Sequence, residues 1–309
     1  MPPPGAMPQN RAPAAHAEYG RSWMLPEAKG EDLIYAADTK GGNVYVVSYP
    51  EGKLVGTITG LYSPIGECVD ASGNVWITGQ SSNSLIEYAH GGTNPIGTLQ
   101  EGANAEPLNC SVDPTTGNLA VTNRYPTTVA VFHNAMGSPT MYQLDGFKYW
   151  SACTYDANGN LFANDWATAQ AIAELPRGSY TLTRVRLKQH VFSGSIQWDG
   201  TYLAVHVVPR GGLGGPTKIA RLQVSNSIGR IVGETILDDR KNRQASLVAQ
   251  FFIAGSTIIG PDRFRGPEGG PHGSSLTFWN YPGGGHPTRV ISKIGHIDAA
   301  VISFARKRG

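Results

Sequence analysis

The chain has 309 residues, of which 16% are charged, and its 25 basic against 23 acidic residues leave a formal charge of +2. That balance excludes a non-specific nucleic-acid or polyanion binder, which needs a surplus of Lys and Arg to displace counterions. No run of about 18 apolar residues occurs, so the sequence predicts no membrane span.

Residues 1–30, beginning "MPPPGAMPQNRAPAAHAEYG", are rich in Pro and Ala and show no apolar periodicity. They read as a disordered leader or linker, with residues 31–309 forming a single domain. The basic start and apolar run of a secretory signal are missing from this stretch. Pro/Ala tracts of this kind often tether secreted domains, so an extracytoplasmic or secreted protein is expected.

Segment 32–60, "DLIYAADTKGGNVYVVSYPEGKLVGTITG", supplies three strands. Residues 64–100 then supply four, A to D: "IGECVD", "NVWITG", "SLIEYAHG" and "PIGTLQ". Apolar and polar residues alternate in B and C, the period of a half-buried strand. The same four parts recur at 107–145, 150–188 and 192–238, and a delayed fifth set runs from "SLVAQFFI" (246–253) to "HPTRVIS". Asp70, Asp113, Asp156 and Asp199 end the A strands at a spacing of 43 residues. Each is expected to form the turn into strand B, because Asp caps its own backbone while the Gly and Asn that follow tolerate positive φ.

A recurrence of about 40 to 50 residues filled with four-stranded units is the mark of a β-propeller. Segment 32–60 has no strand A before it, and the C-terminal "HIDAAVISFAR" (296–306) is a strand A followed by nothing. Pairing the two closes the ring and leaves no open sheet edge. The sequence therefore predicts an all-β, six-bladed β-propeller of four-stranded antiparallel blades, closed by pairing the C-terminal strand with the first blade.

The phrase P-x-G-x-x-x-D-x-x-G-N-x-W in "PIGECVDASGNVW" resembles the NHL-repeat propellers and the SMP-30/gluconolactonase-like superfamily. The turns "YPEGKLVG" and "YPGGGHPTRV" are similar to those of uncharacterised bacterial members. The resemblance implies this fold across about 32–306. For the enzymes of that superfamily it also implies a channel Ca²⁺ held by Glu, Asn and Asp. Here the positions five before each aligned Asp are Ile65, Leu108, Ser151 and Gly194, with Val248 and Ile297 equivalent in the last two strands. Hydrocarbon cannot ligate calcium, which takes six to eight oxygens. Glu67, Asn109 and Asp298 are the nearest oxygen donors. The reading is therefore no cofactor, with a calcium-dependent lactonase-like hydrolase or lyase as the alternative, using Glu67 and Asp298 on metal and His206 or His190 as base.

Cys68, Cys110 and Cys153 cannot all pair within one chain and lack zinc-site spacing. A disulfide framework is excluded, and buried free thiols are expected. Cys110 and Cys153 occupy the same place in neighbouring strands while Cys68 is offset by one, so any bridge should be Cys68–Cys110. "HGGT" (90–93) lacks an accompanying GxSxG and falls in a C–D turn. "RGGLGG" (210–215) and "RGPEGGPHGSS" (265–275) lack the strand-to-helix context of a phosphate loop.

What remains is the end of the channel where the D–A and B–C connections emerge, the long and varied ones. Binding residues concentrate on such loops because the scaffold is rigid and the loops vary freely. Arg124, Tyr125, Tyr149, Trp150, Asp165, Trp166, His190 and Arg263 gather there, and aromatics with Arg are the types enriched at recognition hot spots. The sequence points to a non-catalytic recognition or scaffold propeller that binds a protein, peptide or glycan through this mouth.

Overall fold

The computed structural model describes residues 20–166, 172–187, 192–208, 217–238, 250–262, 275–292 and 294–306. The alternating pattern of residues 64–100 becomes an antiparallel sheet of Pro64–Val69, Val75–Gly79, Ser84–Tyr88 and Pro95–Gln100, ordered A to D from the channel outward. This is blade two. Blade three is Pro107–Val112, Leu119–Asn123, Thr128–Phe132 and Thr140–Tyr142; blade four is Trp150–Tyr155, Leu161–Asp165, Ile172–Leu175 and Thr183–Leu187. Blade five is Phe192–Trp198, Leu203–Val208, Thr217–Ser225 and Ile228–Leu237; blade six is Phe252–Ala254, Thr257–Asp262, Ser275–Asn280 and Gly284–Ile291. The expected inner strand of blade six, 246–253, lies partly outside the described residues.

Blade one is closed by both ends of the chain. Ile297–Ser303 pairs with Asp32–Asp38, which pairs with Asn43–Tyr49 and then Leu54–Ile58. Trp23–Met24 adds a fifth, outermost strand against Thr57 and Gly56. Met24 and Leu25 pack on the core, and Ala28 is wholly buried. The sheet thus takes in residues that composition assigned to the leader, since two apolar side chains suffice to cover an edge although they are too few to show periodicity.

Asp70 makes the turn expected of it: its Oδ1 accepts from the Ser72 and Asn74 amides at 2.7 and 2.8 Å, and Gly73 takes φ +84°. Asp156 repeats this with Asn158 and Asn160, Asp113 accepts from Thr115, and Asp199 from Thr201 and Tyr202.

The core lies between the blades. Six apolar clusters of described residues occupy the six junctions, from Tyr35, Ile58 and Ile77 between blades one and two to Ile34, Ile259 and Ile302 between six and one. At the channel wall each blade is also tied to the next. Ser111 Oγ accepts from the Tyr155 amide at 3.1 Å, Thr154 Oγ1 from the Trp198 amide at 3.0 Å, and Gln197 Oε1 from the Ile253 amide at 2.7 Å. The blade two residue at this position is Cys68, and its sulfur is bonded to Cys110 of blade three. The expectation of free thiols is therefore corrected: one disulfide forms, between the pair whose strand positions face each other, and Cys153 stays a buried thiol.

Candidate functional site

At the loop-rich end, the connection that enters a blade lies on that blade's own B–C turn. Arg124 N donates to Glu106 O at 2.9 Å, Glu106 N to Tyr125 O at 2.7 Å, and Trp166 N to Tyr149 O at 3.1 Å. Beneath these loops runs a ring of buried polar residues, the last of strand B in four blades: Asp38, Asn123, Asp165 and Asp262. Asp165 Oδ2 accepts from the Lys148 and Tyr149 amides, and Asp38 Oδ1 from Gly41 N at 2.7 Å. Asn123 Nδ2 donates to Glu101 Oε2 and to Thr128 Oγ1. Burial pushes the Glu101 carboxyl up to about 7, partly offset by that bond from Asn123. This ring was legible as "YAAD", "VTN", "FAND" and "IGPD", a second Asp/Asn recurrence overshadowed by the turn aspartates.

On this support sits one aromatic and cationic patch. The Arg124 guanidinium lies 5.6 Å from the Tyr125 ring centroid and 5.3 Å from that of Tyr149. Tyr125 is 55% exposed and Trp166 48%, while Tyr149 is half-buried. Glu106 Oε2 stands 3.7 Å from Arg124 Nε, an ion pair without a hydrogen bond.

Two residues assigned to the mouth belong to its foundation. Trp150 is fully buried and stacks on Phe147 at 4.3 Å, inside the junction between blades three and four. As the first residue of strand A it points into the core between the two blades. Asp165 is also wholly buried and caps the loop that carries Tyr149. His190 and Arg263 lie outside the described residues, as do residues 210–215 and 265–274 of the two glycine-rich loops.

Among the described residues the channel wall gathers no set of oxygens that fits calcium. A bulge near the start of the inner strands brings Asp298, rather than Ile297, level with Ile65, Leu108, Ser151 and Gly194. Ser151 Oγ donates to Gly194 O at 2.7 Å, and Asn109 Oδ1 accepts from Cys153 N at 3.1 Å. Glu67 falls level with Cys110 and Cys153, two residues further along each strand than that row, and neither of its oxygens has a hydrogen-bond partner among the described residues. Burial holds its pKa well above the ordinary carboxylate range. Among the described residues no three His, Cys, Asp or Glu side chains are grouped to hold a metal ion. His206, the rival's base, is buried against Gly194, and burial lowers its pKa to about 4. His90 of "HGGT" lies in a C–D turn, bonded to Ser303 Oγ at 2.7 Å and Glu31 O at 2.9 Å. A channel cavity of about 250 Å³ remains, walled by inner strands of all six blades and including Val69, Val112, Tyr155 and Phe252.

No family model matches the chain, and no curated protein does. Solved structures do. A chain in the crystal structure of a nidogen/laminin complex is 13% identical, with a TM-score of 0.66 over 90% of this chain and 100% of that one. A protein of unknown function from Bacteroides caccae is 14% identical, with a TM-score of 0.65 over 90% and 100%. Kuenenia stuttgartiensis hydrazine synthase is 13% identical, with a TM-score of 0.53 over 76% of this chain and 67% of that one. Identities this low show a shared propeller fold.

Proposed function

We propose that this protein is a non-catalytic recognition propeller that binds a protein, peptide or glycan through the Arg124–Tyr125–Tyr149–Trp166 patch. The observation that carries the reading is that the two most exposed of these side chains, Tyr125 and Trp166, are large aromatics, and that the guanidinium between Tyr125 and Tyr149 is part-exposed and paired only with Glu106. Large exposed aromatics beside an arginine mark binding hot spots. One of the similar structures is that of a complex between nidogen and laminin, which supports a partner-binding use of the fold. The "PIGECVDASGNVW" phrase supports a likeness to the NHL-repeat and SMP-30-like propellers.

We place the protein outside the cytoplasm, because the Cys68–Cys110 disulfide persists in an oxidising compartment. No helix among the described residues is long and apolar enough to cross a membrane.

The test is capture from extracts of the source cells with wild-type protein and with Tyr125→Ala and Trp166→Ala. A partner held by the wild type and lost by both variants, which melt normally, supports the reading. A partner held equally by all three sinks it.

A further inference from the structure

In blade four the connection that enters the blade is fastened to the end of strand B by Asp165, whose carboxylate accepts from the Lys148 and Tyr149 amides and needs no proton to do so. Blade three makes the same attachment with the groups exchanged. Its strand B ends on an amide, Asn123, and the carboxyl, Glu101, stands on the entering connection, residues 101–106. Asn123 Nδ2 donates to Glu101 Oε2 and to Thr128 Oγ1, which uses both of its hydrogens. Glu101 Oε1 and Asn123 Oδ1 are left over: both are enclosed, and neither has a hydrogen-bond partner among the described residues. Buried polar atoms are ordinarily paired, and two acceptors on groups already joined through their other atoms lack only a donor. A proton on Glu101 Oε1 supplies it, donating to Asn123 Oδ1 and closing a cyclic carboxylic acid–amide pair.

Resting on the recognition reading above, we infer that this proton is a latch: it holds the entering connection of blade three against strand B, keeps the Arg124–Tyr125 side of the mouth in its binding form, and releases it in alkaline medium. The latch reaches the patch through the backbone. Asn123 directly precedes Arg124, and Glu106, at the far end of the same connection, donates from its N to Tyr125 O at 2.7 Å and accepts at its O from Arg124 N at 2.9 Å. Once Glu101 ionises, a buried charge and two opposed oxygens replace the pair, and both are relieved if the connection lifts and Glu101 meets water. Burial pushes the Glu101 carboxyl up to about 7 from an ordinary 4.5, partly offset by the bond from Asn123. With the folded value raised, the latch is complete below pH 4.5 and is lost as pH rises through about 7. The neighbouring groups do not override this. Asn83, which accepts from Glu101 N, and Ser84 are uncharged, burial keeps the Cys153 thiol of blade four protonated, and Arg124 and Glu106 carry opposite charges 3.7 Å apart.

The test is an NMR titration of the intact chain from about pH 5 to 9, following the side-chain carboxyl carbon of Glu101 and the backbone amides of Glu106 and Arg124, in the wild type and in Glu101→Gln. Gln offers Asn123 both hydrogen bonds without a titrating proton. In the wild type the three signals are expected to move together with a midpoint near about pH 7, the two amides losing their hydrogen-bonded shifts above it. In Glu101→Gln the amides should hold their acid positions throughout. A partner captured as described above should be held about tenfold more weakly by the wild type at pH 8 than at pH 6, and equally at both by the variant. A Glu101 carbon that titrates in the ordinary carboxylate range, amides that do not follow it, or amides of Glu101→Gln that titrate like those of the wild type overturns the latch. The recognition reading fails separately: capture by a mouth whose amides ignore pH removes the latch alone, whereas coupled titration in a protein whose capture is indifferent to Tyr125→Ala and Trp166→Ala removes the site alone.

Discussion

Cys68 is bonded to Cys110 at the junction position where Ser111, Thr154 and Gln197 reach the next blade by hydrogen bonds. One covalent link thus replaces a non-covalent stitch in an otherwise regular series. The residues it joins are separated by 42 in sequence, and closing a loop of that length in the unfolded chain is worth about 4 kcal/mol. Cys68→Ser should lower stability by roughly that amount in denaturant titrations, and reductant should do the same to the wild type. Cys153, its thiol pushed up by burial, should react with thiol reagents only on unfolding. Reductant-insensitive unfolding of the wild type would show that the link contributes nothing.

The two tryptophans at the mouth should behave oppositely. Trp150 is fully buried and stacked on Phe147, so Trp150→Ala should destabilise by about 3 to 5 kcal/mol through the cavity it leaves. Trp166 is 48% exposed, and Trp166→Ala should stay within about 0.5 kcal/mol. Denaturant midpoints of the two variants decide this, and similar losses in both would contradict the distinction between foundation and surface.

Two buried groups should impose opposing slopes on stability against pH. Burial holds Glu101 at about 7 against an ordinary 4.5, so its contribution is complete below pH 4.5 and is lost as pH rises to about 7. Burial lowers His206 from 6.5 to about 4, so its contribution is complete above pH 6.5 and is lost as pH falls to about 4. Each amounts to about 3 kcal/mol, and the two largely cancel between pH 4.5 and 6.5. Glu101→Gln should make melting temperature rise with pH across that window; His206→Asn, which restores the residue type of Asn164 in the preceding blade, should make it fall. Parallel curves for all three proteins would refute the assignment.

Ring closure depends on Ile297–Ser303, which pairs along all of Asp32–Asp38 and whose Ser303 accepts a hydrogen bond or donates one to His90 in the next blade. Deleting residues 296–309 should abolish cooperative melting, because it exposes a central strand edge and the core on both sides. Deleting residues 1–25 removes the Trp23–Met24 strand and the Met24 contact at Gly56, and should lower the melting temperature while leaving the transition cooperative. A C-terminal deletion that melts like the full chain would show that the ring is closed by something else.

The repeat was legible because a propeller blade is a local object. Its turns need Asp, Gly and Asn at fixed offsets, and its strands need alternation, so "CVDASGNVW" and its echoes specify the architecture and the closing role of "HIDAAVISFAR" directly. Arg124, Tyr125, Tyr149 and Trp166 could be placed at one end of the channel on the same logic. What the linear chain could not decide are relations between blades. Whether Trp150 faces solvent or the junction depends on how the neighbouring sheet packs beside it, as does whether Cys68 and Cys110 come close enough to bond. A single-residue bulge moved Asp298 into the channel row that Ile297 was expected to hold, and each residue of shift turns a strand's side chains to the opposite face. Periodicity fixes which residues form a blade; the wedge between two blades decides which of them remain free to bind anything else.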